Sequence, residues 1–205
     1  MSIYWGFIEE EIDEGVKDIS SAGILPYAVF KNRVFFLLGK ETYLPGYQDS
    51  DKWGSFGGQL EADESIENGA AREFYEESAG CIMEMAEARQ RLVDNDYLCR
   101  SDLHPSKSSS FRIYLMLVLY KDYPSIFRRI KHFVQYINGD VSLIEKSHLK
   151  WFTYKDVHDT VFFKWGANRY ARKPKFRSKF SEMMRRIMEK VDLEKACIES
   201  YRRNK

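Results

Sequence analysis

The chain has 205 residues, of which 44% are hydrophobic and 31% charged, and its formal net charge at pH 7 is +1. This length and composition are typical of a globular protein with one sizeable core, and a charge near zero does not mark the whole chain as a nucleic-acid or membrane binder. No apolar run reaches the roughly 18 residues that a membrane-spanning helix needs, so we expect no membrane partner.

The cysteines and the first residues indicate a reducing compartment. Cys81, Cys99 and Cys197 are odd in number and widely spaced, which fits neither a disulfide framework nor a zinc site. The opening segment MSIYWGFIEEEIDEG lacks the basic start and apolar stretch of a secretory signal. We therefore expect a cytoplasmic protein.

The first part of the chain predicts a hairpin, a loop and a strand. Residues 22–30 (AGILPYAVF) and 33–38 (RVFFLL) are rich in strand-forming residues, and the Lys31-Asn32 dipeptide between them suits a two-residue hairpin turn. A polar loop at 42–51 then leads to a short strand at 53–60 (WGSFGGQL), which contains paired glycines.

A helix is predicted next, from about Ile66 to Ala79. Ser65 precedes it and suits the N-cap position, where a hydroxyl oxygen accepts a hydrogen bond from a free backbone N–H. Gly80 follows it and suits the left-handed residue that ends many helices.

The second half predicts two more strands and two more helices. Residues 101–110 suggest a loop, and a strand follows at about 112–120. Residues 125–137 carry apolar side chains at helical spacing, and residues 149–157 suggest a last strand that leads into a turn. A long amphipathic helix is predicted from about Phe176 to the end of the chain.

Together these elements predict one α/β domain. Its core would span about residues 20–165, and a basic helical extension would span about 166–205.

The acidic residues of the predicted helix follow a spaced pattern. A glycine, an acid, an arginine–acid pair and a double acid recur at fixed intervals: Gly58, Glu64, Arg72, Glu73, Glu76 and Glu77. Like charges three or four residues apart on a helix destabilise it, so helix formation alone does not explain them. The segment is either a solvated acidic face or a place where a cation binds.

The helical geometry favours a cation. At 100° per residue, Glu73, Glu76 and Glu77 share an arc of roughly 100°, while Ala70 and Ala71 lie on the adjoining arc and are free to pack on a sheet. Oxygen ligands without histidine or cysteine favour Mg²⁺ or Mn²⁺ over zinc.

This spacing resembles the Nudix box, G-x5-E-x7-R-E-φ-x-E-E-x-G-φ, where φ is a bulky apolar residue. The box covers residues 58–81, and the flanking hairpin and the strand at Trp151 also fall where that family has them. One departure is visible, because Ser78 and Ala79 both precede Gly80 where the family has one residue. The resemblance implies an α/β/α sandwich with a mixed β-sheet and a C-terminal helical extension.

The resemblance also implies site roles. A divalent metal would be bound by the box acids Glu73, Glu76 and Glu77, by the Gly58 carbonyl, and by a further acid before the last strand, for which Glu145 is the candidate. Catalytic roles would fall to four residues: Arg72, Glu73, Glu76 and Glu145. Arg72 would orient Glu73, and Glu145 would bind metal or act as the general base. Supporting roles would fall to Gly57, Glu61 and Glu64, and Glu61 and His148 are the alternatives to Glu145.

The implied reaction is metal-dependent hydrolysis of a phosphoanhydride in a nucleoside diphosphate derivative. The box indicates which bond is cleaved but not which compound is the substrate. A small nucleotide is the favoured substrate. The alternative is mRNA decapping, because parts of the chain look similar to Nudix proteins of large DNA viruses, some of which remove mRNA caps. The basic residues Arg169, Arg172, Lys173 and Lys175 would then bind phosphate or RNA, unless they are only a solvated helix flank.

A third alternative is a domain that binds a nucleotide or a partner without cleaving it. The presence of every charged box residue argues against this alternative. The oligomeric state stays open.

Overall fold

The computed structural model describes residues 19–106, 109–137, 145–162 and 174–205. Seven strands lie within these ranges: β1 (Ser21–Phe30), β2 (Arg33–Glu41), β3 (Trp53–Gly54), β4 (Phe56–Gln59), β5 (Cys99–Ser106), β6 (Ser109–Leu117) and β7 (Lys146–Thr153). The same ranges contain six helices: α1 (Ile66–Glu77), α2 (Met85–Val93), α3 (Tyr123–Tyr136), α4 (Tyr154–Val161), α5 (Ser178–Lys190) and α6 (Leu193–Arg203).

The described strands form one mixed sheet. Its main order is β3-β2-β1-β6-β5, and β4 pairs with β1 while β7 pairs with β2. The β1–β6 pair is parallel, whereas β1 is antiparallel to β2 and to β4. In the β2–β7 ladder the register shifts between Lys40 and Glu41, which leaves Glu41 opposite Lys146.

Both faces of the sheet are covered by helices. On one face Ile24 and Phe56 pack in a core with side chains of α1, α2 and α3. On the other face Leu25 and Phe36 pack in a second core with α4, α5 and α6. The predicted α/β/α sandwich with a mixed sheet is therefore confirmed.

The predicted hairpin and helix start are also confirmed. Lys31 and Asn32 take φ of 50° and 57°, the left-handed values that a tight two-residue hairpin turn requires. The Ser65 side chain accepts a hydrogen bond from the Asn68 N–H at the start of α1.

The structure corrects the end of that helix. α1 ends at Glu77 and not at Ala79, because Ala79 already takes a left-handed φ of 52° before Gly80 does so at 64°. The extra residue relative to the box therefore lies in the turn after the helix and does not lengthen the helix.

The loop predicted at 101–110 is wrong, because β5 and the start of β6 occupy the described part of this segment. β5 is the edge strand of the sheet, and an edge strand tolerates Pro105, which cannot donate to a ladder. Ser101 and Leu103 are buried while Asp102 between them is not, and this is the alternation of a strand.

Other boundaries differ for local reasons. The strand predicted at 53–60 is divided at Ser55, since β3 pairs with β2 and β4 pairs with β1. Residues 154–157 are helical because Thr153 and Asp156 form a capping box that starts α4. α2 is a helix that the sequence pattern did not predict, and β6 ends at Leu117 and not near residue 120.

The long C-terminal helix is wrong as one element, since α5 and α6 are separate. Val191 is extended, and the Asp192 side chain caps α6 by accepting from the Lys195 N–H. Met183 and Met184 of α5 and Cys197 of α6 are fully buried in the second core. No helix in the described ranges is long and apolar enough to cross a membrane.

Candidate active site

The box helix is fixed to the sheet by its apolar side. Ala70, Ala71 and Phe74 are fully buried, and the Phe74 ring meets the Phe56 ring edge to face with centroids 5.5 Å apart. Because this face is anchored, the acidic side chains of α1 project from the adjoining arc toward β4 and the loop that precedes the helix.

Arg72 gathers three of the box acids. Its Nε and Nη2 donate to the two carboxylate oxygens of Glu64 at 2.9 and 3.0 Å, and its Nη2 also donates to the Gln59 carbonyl at 3.0 Å. Its Nη1 donates to Glu73 at 2.9 Å and to Glu76 at 3.1 Å. We call Arg72, Glu64, Glu73 and Glu76 the arginine cluster.

The acids of this cluster differ in exposure and in pKa. The Glu76 side chain is 41% exposed, whereas that of Glu73 is 14% exposed. Burial raises the pKa of Glu73, Arg72 opposes the rise, and the negative charges of Glu76 and Glu145 add to it. Hydrogen bonds from Arg72 lower the pKa of Glu64. Glu73 is therefore a carboxylate that further positive charge would stabilise.

Gly58 brings the backbone against this carboxylate. A Cβ at Gly58 would lie 2.5 Å from the carboxyl carbon and from both oxygens of Glu73. Any side chain at position 58 would therefore displace the Glu73 carboxylate. The missing side chain lets the Glu73 carboxylate lie directly against the main chain.

Glu77 lies in a different environment from the other box acids. One of its carboxylate oxygens accepts from the Gly57 N–H at 2.8 Å, and the other lies 2.7 Å from the Lys146 Nζ. Lys146 Nζ also lies 2.5 Å from a Glu41 oxygen. We call Lys146, Glu41 and Glu77 the lysine cluster.

The remaining predicted acids lie at the edges of the site. Glu145 is exposed and directly precedes β7, and its carbonyl accepts from the Thr42 N–H and hydroxyl. Its effect on the Glu73 pKa shows that the Glu145 charge acts on the site. The Glu61 side chain is 72% exposed and lies 3.9 Å from Arg72 Nε. Burial lowers the pKa of His148, followed by the charge of Lys40.

The box acids match a divalent ion only in the type of their oxygen donors. As the side chains stand, no three His, Cys, Asp or Glu residues of the described ranges form a group that could hold a metal ion. Arg72 and Lys146 supply the positive charge to the box acids instead. The carboxylate oxygens of Glu73 and Glu76 are the donor type that Mg²⁺ or Mn²⁺ prefers, whereas Glu77 is paired with Lys146.

A cavity of about 360 Å³ lies beside the paired glycines Gly57 and Gly58. Its wall includes Gly57 and Gly58, the aromatic rings of Tyr47 and Phe111, and Arg177. Lys179 and Phe180 of α5 also line it. The cavity therefore combines apolar rings with positive charge next to the box.

The predicted basic residues are described only in part. Arg169, Arg172 and Lys173 lie outside the described residues. Lys175 is exposed, and its carbonyl accepts from the Trp53 N–H at 2.8 Å, so its backbone lies beside β3.

The comparisons with known proteins give one partial sequence relative and several similar solved structures. No family model matches the chain. The uncharacterized protein L534 of Acanthamoeba polyphaga mimivirus is 37% identical over 75 residues, which are 36% of this chain and only 24% of that protein. The NUDIX domain of Shewanella oneidensis NrtR, solved in complex with ADP ribose, is 16% identical, with 86% of this chain and 91% of that chain covered and a TM-score of 0.47.

Further solved structures are similar to the same degree. C. elegans Ap4A hydrolase is 16% identical, covers 84% of this chain and 98% of its own, and has a TM-score of 0.44. A MutT/nudix family protein from Enterococcus faecalis is 14% identical, covers 94% and 70%, and has a TM-score of 0.47. The chain resembles the Nudix proteins. At these identities and TM-scores the chemistry has to be argued from the residues of this chain.

Sequence reasoning missed the lysine cluster. Neither Glu41 nor Lys146 belongs to a motif, and the two residues meet only because β2 pairs with β7 after a register shift. Arg177, which donates to Glu41 at 2.8 Å, is a third residue that the sequence pattern did not place at this cluster. The signal that was present is Lys146 itself, a charged residue three positions before a predicted strand.

Proposed function

We propose that the protein hydrolyses a phosphoanhydride bond in a nucleoside diphosphate derivative, with Mg²⁺ or Mn²⁺ bound at the box. The observation that carries this proposal is the contact of Glu73 with the Gly58 backbone beside Glu76. It places a largely buried carboxylate and an exposed carboxylate together against the main chain of β4.

Arg72 is the positioning residue of this site. Glu64 accepts two hydrogen bonds from its guanidinium, which fixes the plane of the group. The remaining Nη1 then holds Glu73 and Glu76 side by side, so the two carboxylates are already close together before a cation and a phosphate arrive.

A divalent ion bound there would neutralise charge on the phosphate oxygens and lower the pKa of a bound water. The residues of the chain supply the rest. Glu145 is exposed and its negative charge adds to the raised pKa of Glu73, and we assign Glu145 the role of general base that removes a proton from the attacking water.

The cavity supports a small nucleotide as substrate. Its volume of about 360 Å³ lies within the usual range for small-ligand sites, roughly 300–1,000 Å³. Tyr47 and Phe111 offer rings for a base, and Arg177 offers positive charge for a phosphate. We place the part of the nucleotide that does not react in this cavity.

The test is a metal-dependent activity screen. ADP-ribose, dinucleoside polyphosphates, nucleotide sugars and a capped RNA are each incubated with Mg²⁺, with Mn²⁺ and with a chelator. We expect metal-dependent turnover of a small nucleotide, and a fall of at least about 10²-fold in Glu76→Gln, the scale of losing a group that acts in the transition state. Circular dichroism establishes that this variant is folded.

Three results would count against the proposal in different ways. If none of these compounds is hydrolysed, the proposed hydrolase activity is wrong. If Glu76→Gln keeps near-native turnover, the role assigned to Glu76 is wrong. Cleavage of capped RNA alone, with an apparent affinity that falls steeply as salt rises, replaces the small nucleotide with RNA because several phosphate contacts would be involved.

A further inference from the structure

Lys146 is an unusual residue because its side chain is fully buried. Its exposed fraction is 0%, and its Nζ lies 2.5 Å from Glu41 and 2.7 Å from Glu77. Lysine is almost never fully buried unless it is paired. The buried Nζ is therefore enclosed between two carboxylates, which is the pairing that a buried lysine requires.

The neighbouring strand makes room for this side chain. A Cβ at Gly39 of β2 would lie 3.0 Å from Cγ, 3.1 Å from Cδ and 3.2 Å from Cε of Lys146. The register shift after Lys40 then places Glu41 opposite Lys146 in the ladder. Space for the methylene chain and a partner for the charge are both built into β2.

The surroundings leave Glu77 little freedom to bind anything else. Its side chain is 5% exposed, and its two oxygens are engaged by Lys146 and by the Gly57 N–H. A divalent ion on Glu77 would also lie close to the Lys146 ammonium, and like charges repel strongly in a buried environment. Arg177 adds a further positive charge on Glu41.

We propose that Lys146 is a permanent internal cation that takes the place of a metal ion at Glu77. The divalent-ion site of this protein is then built on Glu73 and Glu76 with the Gly58 carbonyl, and Glu77 is a structural residue that holds the Gly57–Gly58 strand to α1. This inference rests on the proposed function, because it divides the box acids into those that bind the ion and the one that does not.

The test compares two neighbouring acids by Mn²⁺ binding. Free Mn²⁺ is measured by electron paramagnetic resonance during titration of the full chain, with no substrate, in the native protein, Glu76→Gln and Glu77→Gln. We expect Glu76→Gln to weaken Mn²⁺ binding by at least about tenfold, the scale on which even hydrogen-bonding partners of metal ligands act. Glu77→Gln should change the Mn²⁺ affinity by less than about twofold while lowering the Tm, because a buried ion pair is lost.

A second variant examines Lys146 directly. Lys146→Gln removes the internal cation, so Glu77 becomes available and the number of Mn²⁺ ions bound per chain should rise. This measurement also decides the matter if Glu77→Gln does not fold.

Equal weakening by Glu77→Gln and Glu76→Gln would overturn the inference and leave the proposed function intact. An unchanged Mn²⁺ count in folded Lys146→Gln would overturn it as well. A native chain that binds no Mn²⁺ at millimolar concentration contradicts the proposed function itself, and the inference falls with it.

Discussion

The arginine cluster and the lysine cluster pair acids with a base in opposite ways. Arg72 is partly exposed and contacts three acids, of which Glu76 has a side chain that is 41% exposed. Lys146 is fully buried and serves two acids that are themselves nearly buried. Both clusters draw on one helix, since Glu76 and Glu77 are adjacent residues of α1.

The difference shows what burial does to an acidic residue. Burial raises the pKa of Glu77 to about 7, and Lys146 and the Gly57 N–H limit that rise. The contact of Glu76 with Arg72 is open to solvent, because 41% of the Glu76 side chain is exposed. Glu77 therefore stabilises the fold, and its neighbour Glu76 stays accessible to a ligand.

The largest effect on stability is expected when the positive charge of the lysine cluster is removed. Lys146→Met keeps much of the side-chain volume but leaves Glu77 buried without its counter-charge, which should lower the free energy of unfolding by about 3–5 kcal/mol. Chemical denaturation measures this loss. The double variant Lys146→Met/Glu77→Gln should recover part of it, because the uncompensated charge is then gone.

A matched lysine at the surface provides the control. Lys155 pairs with Asp159 one turn along α4, but its side chain is 80% exposed. Lys155→Met should therefore change stability by less than about 1 kcal/mol. A similar loss in both lysine variants would mean that burial does not distinguish the two pairs.

Glycine substitutions should separate activity from stability. Gly58→Ala would push the Glu73 carboxylate out of the arginine cluster, so we expect turnover to fall by about tenfold, equivalent to about 1.4 kcal/mol in the barrier, with the Tm nearly unchanged. Gly39→Ala would press on the Lys146 methylenes, and there the Tm should fall. Kinetics and thermal melts of both variants make the comparison, and a pattern with the two effects exchanged would refute it.

The smallest effect is expected at Glu64 and depends on pH. Arg72 holds the folded-state pKa of Glu64 below its ordinary value of 4.5, so this pair stabilises the fold above pH 4.5. The stabilisation is lost as pH falls through the lower folded-state pKa. The difference in unfolding free energy between the native protein and Glu64→Gln should be about 1 kcal/mol at pH 7 and should shrink progressively as the pH falls below 4.5. A difference that stays constant with pH would contradict this assignment.

Local patterns made much of the fold predictable. The Lys31-Asn32 turn and the Ser65 cap each depend on residues close in sequence, and the structure shows both. The resemblance predicted that Arg72 orients Glu73, and the structure adds hydrogen bonds from Arg72 to Glu64 and Glu76, which a single helix and the loop before it also carry.

Distant pairing made the rest unpredictable. The sequence of β5 reads as a loop because its polar residues and Pro105 suit an edge strand, and the edge position depends on the whole sheet. The burial of Lys146 depends on Glu41, which lies 105 residues away in sequence. The pairing of Glu77 with Lys146 therefore could not be predicted from the box, whose pattern indicates a metal ligand at Glu77.

The order of charges at the start of β7 has a consequence for how the sheet assembles. Glu145 is exposed and Lys146 is buried, because adjacent residues at a strand point to opposite sides. If β7 paired one residue out of step, Glu145 would enter the interior near Glu41 and Glu77, and three acids would meet without Lys146 between them. Electrostatic repulsion between these acids would disfavour the shifted register during folding. The buried lysine therefore also favours the register that leaves Glu145 exposed.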